Sequence, residues 1–164
     1  MVKTLSAGLP LRVAVTIAAL IASTLASAQA TVDKQLGKTL NRQKLESEVD
    51  GEGDYKLTFD VGAGLTQVVW VRSGASTYGE LVIREVLSIG AAAPGGVLSP
   101  ALADRLLQFN AQSKLGAWAR NADHAVFIAK IPADLDGKQL AAAIELVARS
   151  ADEIERELGA ADAF

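Results

Sequence analysis

A long amphipathic stretch near the C-terminus constrains the fold more than any other feature. Leu140, Ile144, Val147, Ala151, Ile154 and Leu158 recur at alternating spacings of four and three, so they share one face of a helix. Asp136 and Gln139 precede them as a capping box with Asp in place of Ser or Thr. The opposite face carries Glu145-Arg149 and Asp152-Arg156, both acid-before-base pairs four residues apart. At about three heptads the apolar face is marginal for a coiled coil, and packing on a sheet is the better account of it. A second helix is expected after Ser99-Pro100, an N-cap followed by proline at the first helical position. Leu102, Leu106 and Phe109 form its apolar face, and Gly116 lies beyond its end. Between the helices, 115–120 and 124–131 read as strands joined by the turn Asn121-Ala122-Asp123. Pro132 ends the second of them, since proline cannot donate to a ladder.

The N-terminal half reads as a short helix followed by strands. Val32, Leu36 and Leu40 recur every four residues, although Gly37 weakens a helix by about 1 kcal/mol relative to alanine. From Leu45 the period becomes two, and Tyr55, Leu57, Phe59 and Val61 lie on the same side of a strand. A turn at 51–54 makes 43–50 the hairpin partner of that strand, and Gly62-Ala63-Gly64 makes the next turn. Residues 67–73 form a second strand and 73–79 a loop. Residues 80–90 form a third strand with Leu81, Ile83, Leu87 and Ile89 on one face. Glu85 falls among them, which calls for either a bulge or a partner such as Arg72. Residues 91–96 link this strand to the Ser99 helix. Short connections favour antiparallel neighbours, so the expectation is an α+β two-layer sandwich: an antiparallel sheet with the helices on one face.

The first residues carry a different signal. Lys3 and Arg12 are the only charges before Asp33, and 13–22 is an unbroken apolar or small run. A run of about ten is too short for the roughly 20 residues of a membrane span. Two A-x-A patterns follow, so a signal peptide of 1–28 or 1–30 is expected, with one domain over 31–158 and a tail at 159–164. Its removal leaves 14 of the 16 basic residues against 19 acidic ones, a net charge of −5. That balance argues against nucleic acid and anionic membrane as partners. The chain contains no cysteine, hence no disulfide and no lipid-modified cysteine. The expected location is periplasmic or secreted, with no membrane insertion after processing.

The stretches LLQFNAQSKLGAWAR and HAVFIAKIPADLDGKQLAAAIELVARSADEIEREL add a family resemblance. A leucine-rich helix runs up to Asn110, a glycine-containing strand follows, an apolar strand closes in Ile131-Pro132, and Leu135-Asp136 starts the last helix. In these residues and in its order of elements the chain resembles the YbjN-like group, with a type III secretion chaperone-like fold. The match covers about 60 residues well and the N-terminal half by element order alone. The resemblance implies a small dimer-forming α+β module that binds protein, with no catalytic residue. The export signal departs from cytoplasmic secretion chaperones, so that role does not transfer with the fold.

Motifs for catalysis are weak. There is no G-x-S-x-G, and Ser73 and Ser76 have no base at a recognisable spacing. The single histidine, His124, follows Asp123 in a turn and reads as solvent-facing. Asp50, Glu52 and Asp54 alternate like the first ligands of a calcium loop, but its twelfth position is Val61. Gly62-x-Gly64 is too short for a phosphate loop. No catalytic, metal or cofactor site is therefore assigned. The reading is a non-enzymatic protein-binding module of the bacterial envelope. Its alternatives are a small hydrolase or ligand-binding enzyme uniting Asp123, His124 and a serine, and a structural subunit of an envelope assembly. Both alternating sets of the 124–131 strand are apolar, so a sheet with helices on one face would leave one set open. The expected interaction face is Trp118, Val126 and Ile128, covered by a partner protein or by a second copy in a homodimer.

Overall fold

Each long helix begins where a side chain can close its first turn. Asp33 caps α1 (Lys34–Arg42), its Oδ1 accepting the N–H groups of Gln35 and Leu36 at 2.9 and 3.0 Å. Ser99 caps α2 (Pro100–Gln112) through the N–H of Leu102. Asp136 caps α3 (Gly137–Glu157) with both halves of the capping box formed: its Oδ1 accepts from Gln139 at 2.9 Å, and Gln139 Oε1 accepts from Asp136 N at 3.1 Å. The computed structural model describes residues 31–159; the expected signal peptide and the last five residues lie outside the described residues.

The strands are β1 (Glu48–Val49), β2 (Tyr55–Gly62), β3 (Leu65–Tyr78), β4 (Leu81–Ala92), β5 (Ala117–Asn121) and β6 (His124–Pro132). They form one antiparallel sheet in the order β1-β2-β3-β4-β6-β5. All three helices pack on one face of it, so the molecule is an α+β two-layer sandwich. The register sorts the side chains. Tyr55, Val71, Val86 and Ala129 oppose one another across four strands, facing the helices. Leu36 and Leu40 of α1, Leu106 of α2, and Ile144, Val147, Ala151 and Ile154 of α3 close over that row.

Two glycines are set by packing. A Cβ on Gly37 would strike the Tyr55 ring and hydroxyl, coming within 2.9 Å of Cζ. The residue that weakens α1 locally is thus what lets it seat on Tyr55, whose hydroxyl donates to Asp33 O at 3.0 Å. Gly90 sits at a shift in the β4–β6 register, and a Cβ there would meet the Trp118 ring and Ala151 O at 3.1 Å.

Several boundaries differ from the sequence expectation. Residues 73–78 are not a loop: β3 continues through a bulge between Val71 and Ala75 and pairs with β4 as far as Tyr78–Leu81. Small polar residues read as loop because their strand propensity is low, yet pairing with Leu81–Arg84 holds them extended. The hairpin partner of β2 shrinks to Glu48–Val49. The segment after residue 90 is still strand to Ala92, followed by a 3-10 turn at Pro94–Gly96. Leu158 does not join the apolar face; it is the C-cap of α3 and 50% exposed. Both ion pairs of α3 form, at 2.9 and 3.0 Å, but Asp152 is buried and not on a solvated face.

Arg84 ties α1 to the sheet. Its buried guanidinium donates through Nη1 to the carbonyl oxygens of Arg72 and Ser73 in the β3 bulge, and through Nη2 to Asp33 Oδ2 at 2.6 Å. Burial would raise the Asp33 carboxyl, but the Leu36 N–H, the Arg84 guanidinium and the Gln35 N–H outweigh it and hold it below the ordinary 3.8.

Two predictions follow from this packing. Ile144→Ala, at a fully buried site, is expected to cost about 2–5 kcal/mol. Glu145→Ala on the exposed side of the same helix should cost under about 0.5 kcal/mol. Similar melting-temperature losses from the two variants would show the helix faces misassigned. The second prediction concerns acid. A carboxyl whose folded pKa is depressed stabilises the fold above its unfolded value and loses that contribution as pH falls through the folded one. Asp33→Asn keeps an N-cap but removes the charge beside Arg84. It should cost about 1–3 kcal/mol at neutral pH. It should also flatten the fall in melting temperature below about pH 4 relative to wild type, and an unchanged acid limb would refute the role given to this pair.

Candidate binding surface on the open face of the sheet

One row of directly opposed residues crosses all six strands on the face away from the helices: Glu48, Lys56, Trp70, Leu87, Ile128 and Ala117. It begins with an ion pair, Lys56 Nζ to Glu48 Oε1 at 3.2 Å, and is apolar from Trp70 onward. In the adjacent row Ile89, Val126 and Ala119 oppose one another. Side chains two apart on a strand share a face, which is how these two rows merge into one apolar patch. Val126 and Leu87 are shielded by their neighbours, whereas Trp70, Ile89 and Ile128 stay half-buried at its surface.

Val126 and Ile128 therefore lie where the sequence places them, on the open face, and Trp118 does not join them. Trp118 opposes Phe127 across the β5–β6 hairpin, and Phe127 is a core residue. The indole is 7% exposed and packs edge-on against Phe109 and Phe127, with ring centroids 6.1 and 5.5 Å away. The expected alignment of Trp118 with Val126 and Ile128 fails because β5 begins at Ala117 and its register puts even-numbered residues toward the helices. Trp70 is the aromatic residue of the open face, and its alignment with Leu87 is a matter of strand register that its own neighbours do not reveal. Asn110 fixes β5: its Oδ1 accepts the Trp118 N–H at 2.6 Å and its Nδ2 donates to Trp118 O at 3.3 Å.

The acidic turn serves a different end from metal binding. Asp50 Oδ1 accepts the N–H groups of Glu52 and Asp54, closing the turn. Asp54, buried, and Glu52 then both take Arg72, whose Nη1 reaches Glu52 Oε2 at 2.8 Å. Arg72 is thus unavailable to Glu85, which pairs across the ladder with Lys130 at 3.4 Å. Glu85 needs no bulge of its own to sit on the open face.

His124 opens β6 and, with Asn121, Asp50, Glu52 and Arg72, borders a cleft of about 190 Å³ floored by Trp70, Leu87, Ile89 and Val126. Neither Asp123 nor a serine lines this cleft, so the hydrolase alternative finds no triad there. It is smaller than the 300–1,000 Å³ typical of small-molecule sites and is of a size for one protruding side chain. A larger hollow of about 580 Å³ lies where the β3–β4 hairpin overhangs the end of β6, walled mainly by Leu81, Ile83, Ile131 and Pro132. Among the described residues no helix is long and apolar enough to cross a membrane.

Compared with known proteins, the chain matches no protein-family model and no curated protein sequence.

The placement of Trp118 yields a prediction. Trp118→Ala should cost about 3–5 kcal/mol and Trp118→Glu should unfold the domain, because both remove core packing. Circular dichroism and thermal melts decide it; a Trp118→Glu protein with wild-type stability would return the indole to the surface.

Proposed function

We infer that this protein is a non-enzymatic protein-binding module of the bacterial envelope, and that its binding surface is the open sheet face centred on Trp70, Leu87, Ile89, Val126 and Ile128. The observation that carries this reading is the apolar row across β3, β4, β6 and β5 on a face that no helix covers among the described residues. Contiguous apolar surface of this kind is a feature of interaction sites. The resemblance to YbjN-like proteins points the same way, and the apolar N-terminal stretch with its A-x-A sites supports export.

The charge pattern narrows the partner. Each base on this face already has an acid: Lys56 with Glu48, Arg72 with Glu52 and Asp54, Lys130 with Glu85. A partner is recognised by apolar fit and not by a net field, which disfavours nucleic acid and anionic lipid. The 190 Å³ cleft accepts one anchoring side chain.

Ile128→Lys tests the site. The side chain is half-buried, so the variant should stay folded at a cost of about 1 kcal/mol. Protein tagged and recovered from the periplasm should lose its stoichiometric partner in Ile128→Lys and keep it in Glu145→Ala, with little dependence on salt. Retention of the same partner by a folded Ile128→Lys protein would remove this face from the function.

A further inference from the structure

The β3–β4 hairpin carries an edge that the rest of the sheet lacks. β2 meets β3 only as far as Tyr55–Val71, and the turn before it reaches Ser73, whose N–H donates to Asp54 Oδ1 at 2.7 Å. Arg84 occupies the carbonyl oxygens of Arg72 and Ser73. From Gly74 to Tyr78 no strand among the described residues pairs with β3 on that side, and all five residues are exposed. The edges of β5 and of the outer part of β2 are guarded. β5 is held by the Asn110 side chain, and the outer part of β2 carries Asp60 and a bulge before Gly62. Residues 74–78 contain no charge and no proline.

The hydrogen-bonding parity of this edge is self-complementary. Tyr78 and Leu81 flank the two-residue turn Gly79-Glu80, so they form the hydrogen-bonded pair. Alternation along an antiparallel ladder then turns the N–H and C=O groups of Ala75 and Thr77 away from β4, toward the open edge. Two such edges laid antiparallel about a two-fold axis at Ser76 place Ala75 opposite Thr77 of the other copy. All four outward pairs of groups are thereby satisfied. The same register sets each Tyr78, 80% exposed, beside the other copy's Gly74, where an aromatic ring can cover a position without a side chain.

We propose that a second copy of this chain adds to the sheet through residues 74–78, with Ser76 opposite Ser76 at the two-fold axis, giving one continuous sheet across two copies. This axis is perpendicular to the sheet, so both open faces lie on the same side. The inference stands apart from the reading of that face, since edge pairing leaves Trp70, Leu87 and Ile128 uncovered.

The chain has no cysteine, which makes a single introduced thiol a clean reporter. Opposed residues of a non-hydrogen-bonded pair lie with Cα atoms about 4.5 Å apart, within disulfide range. The positions 78 of the two copies fall roughly 13 Å apart, out of range. Under mild oxidation Ser76→Cys should become mostly covalent dimer and Tyr78→Cys should not. By size exclusion with light scattering the wild type should be dimeric and Ser76→Lys, which opposes two ammonium groups at the axis, at least ten-fold weaker in dimerisation. A wild type that is monomeric at high concentration overturns the proposal. So does a dimer that survives Ser76→Lys without cross-linking through Ser76→Cys. That last result would place the second copy elsewhere, and loss of such a dimer in Ile128→Lys would place it on the open face, leaving the binding role of that face intact.

Discussion

The buried guanidinium of Arg84 is the contact on which the geometry of this molecule turns. A charge taken out of water is costly unless every donor is used and the charge is compensated. Arg84 is compensated by two distant pieces of chain, the Asp33 carboxylate at the start of α1 and two adjacent carbonyl oxygens of the β3 bulge, which take three of its N–H···O bonds. The bulge would otherwise leave the Arg72 and Ser73 carbonyls unmatched at a half-covered position. One side chain therefore fixes where α1 begins and where β3 bends. Because the bend separates the part of β3 that β2 covers from the part it leaves bare, Arg84 also sets the limits of the free edge.

A second polar contact works in the same manner within the core. Gln67 is fully buried on the helix side of β3, and its Nε2 donates to Ser88 Oγ at 3.0 Å and to Ile89 O at 2.8 Å. Ser88 Oγ in turn donates to Val68 O at 2.6 Å. The pair stitches β3 to β4 side by side with their backbone ladder. Since a slip of one residue would bury Val68 in place of Gln67 and break both bonds, it favours a single register. That register puts Trp70, Leu87 and Ile128 in one line. The apolar row on the open face is thus fixed from beneath, by a polar contact on the opposite side of the sheet.

How much of this was readable in the sequence follows from the range of each signal. The capping box of α3, the Ser99-Pro100 start of α2, the alternation in β2 and the β5–β6 hairpin are local patterns, and they appear where the residues announce them. The apolar face of α3 holds up to its C-cap Leu158, while on the expected polar face Asp152 turns out buried. What was illegible depends on partners far along the chain. Residues 73–78 are extended because β4 pairs with them, a fact absent from their own propensities. Trp118 reads as surface from its neighbours, yet a register set by the Ala122-Asp123 loop and by Asn110 turns it inward, and Gly90, 28 residues earlier, makes room for it. Of the three residues first assigned to the interaction face, the two on β6 share the open face because they lie two apart on one strand, whereas both alternating sets of that strand are apolar and its pattern alone does not say which faces out.

The two faces of the sheet differ in what they do with charge, and this difference bears on function. On the helix side Arg84, Asp152 and Glu155 are buried, ionisable groups that a core admits only for structural reasons. On the open side Lys56, Glu85 and Lys130 remain at the surface in pairs that span neighbouring strands. Exposed pairs of this sort add little stability, typically under about 1 kcal/mol. Their effect on the surface is larger: they cancel the field at the borders of the apolar row in a chain whose net charge is −3. A neutral, apolar strip on an acidic protein is a surface to which another protein can bind without opposing the molecule's own charge. The uncharged edge at 74–78 extends that neutrality to the end of the β3–β4 hairpin, where Tyr78 and Leu81 stand in solvent. Face and edge thus share one electrostatic character, although one presents side chains to a partner and the other presents backbone.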